Sequence, residues 1–83
     1  MIKENRLFFM EQVRTIAYYI VCTNHCSTFK IQRKFGYYYN ACSRAIDVLE
    51  KLGIVSDYDV IKNERKVLVE SIEELEEKLD FYF

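Results

Sequence analysis

The sequence predicts an α+β fold, a winged helix-turn-helix of three helices plus a β-hairpin wing, with an additional C-terminal helix. Three observations point to it. Between Phe35 and Val69 an amphipathic segment ends at Gly53, and Ile54 and Val55 follow at once. A polar tip with Lys62, Asn63, Glu64, Arg65 and Lys66 then leads into Val67, Leu68 and Val69. Upstream, a short helical segment stops at Gly36, and the connection from Gly36 to Tyr38 is short enough for a helix-turn-helix. Downstream, Ser71-Ile72-Glu73-Glu74 has the S-x-x-E form of a capping box.

The elements follow in order. Residues 1–9 are mixed and suit either a lead-in strand or the start of the first helix. From Met10 to Val21 the apolar positions Met10, Val13, Ile16, Ala17, Ile20 and Val21 recur at helical spacing, with Tyr18 and Tyr19 widening the face. Thr23 and Asn24 break that helix. Ser27 can cap a second helix by accepting a free N–H of its first turn; Phe29, Ile31 and Phe35 are its candidate core residues. The third helix runs from Tyr39 or Asn40 to Leu52, with Ala41, Ala45, Val48, Leu49 and Leu52 on one side and Ile46 beside them. Arg44, Asp47, Glu50 and Lys51 form its other side. Gly53 supplies the left-handed residue that closes a helix. Ile54, Val55, Tyr58 and Val60 suit an outgoing strand, and Val67 to Val69 a returning one. Ile72, Leu75 and Leu79 give the last helix a narrow apolar stripe, and three aromatics, Phe81, Tyr82 and Phe83, end it.

Eighty-three residues make one domain, with a core over about 10–70 and an acidic C-terminal helix over 71–83. Half the chain is hydrophobic (51%) and proline is absent, which excludes a disordered tail. No apolar run approaches the roughly 20 residues of a membrane span, and no signal-peptide pattern opens the chain. Three cysteines without a C-x-x-C read as reduced thiols, so a cytoplasmic location is expected. The net charge of −1 hides an asymmetry: residues 1–69 hold 11 Lys/Arg against 7 Asp/Glu, whereas residues 70–83 hold one Lys against 6 Asp/Glu. The body is basic, as a phosphate-binding surface requires.

A winged helix-turn-helix usually grips duplex DNA, so with this basic body double-stranded DNA is the expected partner. Asn40 and Arg44 lie four apart on one helix face; Asn pairs bidentately with adenine and Arg with guanine. Asp47 shares that face. Lys30, Arg33 and Lys34 on the second helix suit phosphate positioning, and Ser27 and Thr28 add hydroxyl or N–H contacts at its start. Lys62, Asn63, Arg65 and Lys66 would sit on the wing tip and reach phosphates or a minor groove.

Ser27 to about Leu75 resembles the gamma domain at the C-terminus of the FtsK/SpoIIIE DNA translocases. The matching residues are Gln32, Arg33, Lys34 and Phe35; Tyr39 and Asn40; Arg44, Ile46, Asp47, Leu49 and Glu50; Gly53, Ile54 and Val55; and Arg65, Val67, Leu68 and Val69. The resemblance implies a winged helix whose third helix reads bases, and the reading role falls on Asn40, Arg44 and Asp47. The chain departs from the pattern at Tyr38, where the family has glycine, at Ala41, where it has arginine, and over Ile61 to Glu64 in the wing. No G-x-x-x-x-G-K-[ST] motif marks a motor ATPase. The expected setting is a free-standing relative of the kind plasmids and mobile elements encode: a regulator, a partition protein or a conjugation-origin accessory factor.

Other chemistries find less support. Cys22, His25 and Cys26 lack the second ligand pair of a zinc site, and no orienting third group completes a Cys–His nucleophile. No catalysis, no metal, no cofactor and no small-molecule ligand are expected. A homodimer is expected, its seam at the C-terminal helix with Phe81 and Phe83, at Tyr37 and Tyr38, or along the small residues Ala41, Cys42 and Ser43. The alternative to DNA binding is a winged-helix protein–protein interaction module held together by the tyrosine cluster and the aromatic tail.

Overall fold

Apolar spacing in the N-terminal half decides where the core lies. Val13, Ile16, Ala17 and Ile20 recur at the three- and four-residue intervals that stack side chains on one helix face, and all four are fully buried. They belong to α1 (Ile2–Thr23). It is the first of four helices in a computed structural model that describes the backbone of residues 2–82 and the side chains of residues 8–81. Of the two readings of the N-terminal stretch, the helix start holds from residue 2 onward. α1 stops because Asn24 takes a left-handed conformation (φ 54°). The His25 N–H then donates back to the Ile20 carbonyl at 3.2 Å, and Thr23 Oγ1 donates to the Tyr19 carbonyl at 2.8 Å.

The second helix, α2 (Thr28–Phe35), starts as expected: Ser27 Oγ accepts the Lys30 N–H at 3.3 Å, a cap that contributes about 1 kcal/mol. It closes on Gly36, at φ 71°, whose N–H donates to the Gln32 carbonyl at 2.8 Å. Ile31 is its buried anchor. Phe29, expected in the core, is 64% exposed. Two positions from Ile31, it lies on the opposite side of a helix. Phe35 packs edge-on against Tyr19 and stacks on Tyr37, both at 5.4 Å between ring centres.

In α3 (Tyr39–Lys51), Cys42, Ala45, Ile46 and Leu49 are buried. Ala41, Val48 and Leu52, expected to share the inner side, are half-buried. The face is rotated because Cys42 acts as a small hydrophobe and completes the 42–45–46–49 register. Gly53, at φ 77°, ends the helix in a paired closure: its N–H donates to the Glu50 carbonyl at 3.0 Å, and the Ile54 N–H to the Leu49 carbonyl at 2.9 Å. That turn drops Ile54 into the core.

Beyond Gly53 the expected β-hairpin wing does not form. Among the described residues there is no strand and no sheet, so the α+β expectation is corrected to four helices joined by loops. The chain does double back, but through isolated bridges: Val55 to Val67, Asp59 to Glu64, and Cys26 to Arg65. Two features keep these from joining into a ladder. Three residues, Ser56 to Tyr58, separate the first two bridges on one arm and two, Arg65 and Lys66, on the other, so the registers do not match. Side chains also take the groups that the next rung would use. Arg65 Nη1 donates to the Ser56 carbonyl at 3.0 Å, and Ser56 Oγ accepts the Lys66 N–H at 2.8 Å. At the tip, Asp59 Oδ1 accepts the N–H groups of Ile61 and Lys62, and Asn63 is left-handed at φ 58°. Val60 and Ile61, residue types that favour strands, stand 82% and 96% exposed on this turn.

Helix α4 (Ile72–Tyr82) begins where the capping box placed it. Ser71 Oγ accepts the Glu74 N–H at 3.1 Å, while Glu74 Oε1 reaches back to the Glu70 N–H at 3.2 Å. Leu75 and Leu79 are fully buried. Helix α1 packs against both α3 and α4, and α2 packs against α3. Tyr18 of α1 meets Glu76 of α4; burial first and then that hydrogen bond push the phenol above its usual range. The described residues include no helix long and apolar enough to cross a membrane.

Candidate nucleic-acid interface

Helix α2 is the most basic element of the chain: Lys30, Arg33 and Lys34 are exposed, and the helix contains no acidic residue. The Arg33 guanidinium lies 5.6 Å from the centre of the Phe29 ring, a stacking that limits the motion of a long side chain without covering its donors. The exposed Phe29 thus belongs to this surface, where the apolar count of the sequence missed it. Ser27 and Thr28, half-buried, stand at the helix start, and Ser27 Oγ is engaged as the cap.

On α3, Asn40, Arg44, Asp47 and Lys51 are all exposed, and their spacing of four, three and four aligns them in one stripe opposite Cys42, Ala45, Ile46 and Leu49. The stripe therefore points outward because the core positions point inward. Arg44 folds over Phe9 of α1, with its guanidinium 5.2 Å from the ring centre. Tyr38 and Tyr39 are exposed at the start of α3, whose first turn receives no side-chain cap. Tyr37 differs, being stacked on Phe35. Cys42 is fully enclosed and so cannot face another chain.

The 56–66 loop divides its predicted contacts. Lys62, Asn63 and Lys66 are exposed. Arg65 is half-buried: its Nη1 donates to Glu50 Oε1 of α3 at 2.6 Å and to the Ser56 carbonyl at 3.0 Å. Asp57, Asp59 and Glu64 balance the three cations of this loop, leaving it neutral. Glu50 is held below the usual carboxylate range, first by a hydrogen bond from Asp57 and then by Arg65; the same carboxyl contact raises Asp57. A groove of about 530 Å³ runs between this loop and the starts of α2 and α3, with Thr28, Phe29, Tyr39, Tyr58 and Asn63 on its walls. Tyr39 belongs to the motif that carries the family resemblance, whereas Tyr58, expected in a strand, is a wall residue that the sequence did not mark.

The thiols lie apart from this chemistry. Cys22 is exposed, and Cys26 and Cys42 are buried. Burial pushes the Cys26 thiol up to about 11 despite the nearby Arg65, and burial raises Cys42 as well. Among the described residues no group of three His, Cys, Asp or Glu side chains gathers in metal-binding proximity.

Comparison with known proteins bears on this surface through one match. The family described as the Ftsk gamma domain matches residues 10–70, a stretch that contains α2, α3 and the loop and most of α1. No curated protein and no solved structure matches the chain. That family is one of DNA-binding regulatory domains and not of catalysts. With the match covering most of its length, the chain belongs to the FtsK gamma domain family, a family that binds DNA.

Proposed function

We propose that this chain binds double-stranded DNA in a sequence-directed manner and without catalysis, with α2 on the phosphates and the exposed face of α3 in the major groove. The observation that carries this reading is the pairing of an acid-free helix bearing three exposed cations with a neighbouring helix whose polar stripe is exposed. Lys30, Arg33 and Lys34 supply affinity by displacing counterions, together with Ser27 and Thr28 at the start of α2. Asn40, Arg44 and Asp47 supply specificity: Asn suits adenine, Arg suits guanine, and Asp accepts from the cytosine amino group. Lys62, Asn63 and Lys66 add backbone contacts from the loop. A role as a plasmid or mobile-element regulator, partition protein or conjugation-origin factor fits a compact DNA-binding domain of this size.

A homodimer fits as well, since two copies double a short footprint and match repeated half-sites. Phe81 at 91% and Tyr38 at 85% exposure are the apolar groups a second copy would cover; Phe83 lies outside the described residues. The test is a titration of duplex DNA by fluorescence anisotropy at several salt concentrations. The triple substitution Lys30→Ala, Arg33→Ala, Lys34→Ala should weaken binding and flatten the salt slope by up to about 3 counterions. No binding by the intact protein at low salt would sink the proposal in favour of a protein–protein interaction module.

A further inference from the structure

We infer that Arg65 is a positioning residue, a clasp that fixes the 56–66 loop against α3 and the start of α2 and so sets the groove the nucleic acid meets. The inference rests on the DNA-binding reading above and assigns Arg65 a role different from the phosphate contacts of Lys62 and Lys66.

Three observations converge on this side chain and its backbone. Arg65 Nη1 spends its donors internally, on Glu50 Oε1 at 2.6 Å and on the Ser56 carbonyl at 3.0 Å. The Glu50 contact spans from the loop to α3, and the Ser56 contact ties the two arms of the loop together. The Arg65 backbone bridges to Cys26, immediately before the Ser27 cap of α2. One residue therefore links α3, both loop arms and the start of α2, and it lies on the wall of the groove between them.

The need for such a clasp follows from the missing sheet. A hairpin wing is held rigid by a ladder of backbone hydrogen bonds, whereas this loop has isolated bridges in two registers. Without Arg65 the tip is free to move relative to α3, and the order must be restored on binding. Ordering even one residue's backbone on binding lowers affinity about tenfold. Asp57 stands beside Glu50 and lies within the field of the Arg65 guanidinium.

Two measurements test the clasp, one of them independent of DNA. Amide hydrogen exchange of the free protein should show Ser56 and Lys66 exchanging about tenfold faster in Arg65→Ala, with the helix amides unchanged. Unchanged exchange at both amides would overturn the clasp whatever the protein binds. The second measurement is duplex DNA affinity of the double variant Glu50→Gln, Asp57→Asn. It removes two negative charges, so long-range electrostatics alone would tighten binding to a polyanion. The clasp instead predicts binding weakened about tenfold, with the salt slope retained because no phosphate contact has been removed. Tighter binding would overturn it. The charge exchange Glu50→Arg with Arg65→Glu separates positioning from direct contact. Recovery of both loop protection and affinity supports the clasp. Recovered protection with affinity still lost makes Arg65 a phosphate contact and overturns it. If the native protein binds no duplex at all, the DNA-binding reading has failed, and the exchange measurement still decides whether Arg65 holds the loop.

Discussion

Replacing Leu79 with alanine should destabilise the whole domain, because α4 is part of its core. The family match ends at residue 70, which would allow α4 to be an appendage. Its burial says otherwise: Leu75 and Leu79 are as fully enclosed as Ile16 and Ile20 of α1, against which α4 packs. Truncating a buried leucine removes its transfer free energy and leaves a cavity, at a cost of about 2–5 kcal/mol. A site closed on all sides takes a middle value of about 3 kcal/mol. At about 0.05–0.15 kcal/mol per residue, a domain of this size has a total stability of roughly 4–12 kcal/mol. Each kcal/mol lowers the midpoint of a domain this small by about 4–8 °C, so Leu79→Ala should lower Tm by about 12–24 °C. Thermal unfolding followed by circular dichroism at 222 nm measures it. Glu77→Ala, at an exposed position of the same helix, is the control and should stay within about 0.5 kcal/mol of the native protein. A Leu79→Ala shift no larger than that of the control would refute the placement of α4 in the core.

Other consequences follow from single residues. Gly53→Ala places a side chain at φ 77° and should cost about 1–2 kcal/mol, read as a lower urea midpoint; an unchanged midpoint would remove the left-handed closure of α3 from the account. Cys22 should react quickly with a maleimide in the native protein, whereas Cys26 and Cys42 should react only in denaturant; fast native labelling of two or three thiols would contradict their burial. Because burial raises Cys26 from its ordinary 9.0 to about 11, the neutral thiol is favoured in the folded state. Its contribution is complete below about pH 9 and is lost as pH rises through 11. Urea midpoints should fall over that window, and fall less in Cys26→Ala; equal losses in both proteins would dismiss the cysteine as the cause. Light scattering at micromolar concentration should give a dimer mass that Phe81→Ala or Tyr38→Ala reduces, and a monomer mass for the native protein would end the homodimer proposal.

The helices were legible in the sequence because their signals are local. Ser27, Gly36, Gly53 and Ser71 each act within one turn through a hydrogen bond or a left-handed backbone, and all four mark boundaries where expected. The 42–45–46–49 face of α3 is harder to see in the sequence because a cysteine, Cys42, completes it. Phe29 has the residue type of a core position, but its place two residues from Ile31 puts it on the outer face. The absence of a sheet was not legible. Val55 and Val67 do meet, as β-propensity suggested, but pairing depends on register across the loop. There the interception of backbone groups by Ser56 and Arg65 prevails, and neither effect leaves a periodic trace. The candidate interface was legible as residue types on α2 and α3. What the sequence concealed was the internal use of Arg65, because an ion pair between residues 15 apart has no signature in local spacing.

DNA recognition by this fold turns on the division of labour between α2 and α3, and the specificity ratio decides it. A duplex selected from a random pool and a random duplex are titrated side by side at fixed salt with the native protein, with Arg44→Ala, and with the α2 triple variant. Arg44→Ala should lose about 1–3 kcal/mol on the selected duplex and little on the random one, so the ratio collapses. The α2 variant should lose affinity for both duplexes alike and keep the ratio. The reverse pattern, with the ratio kept in Arg44→Ala and lost in the α2 variant, would place base reading on α2 and refute this assignment.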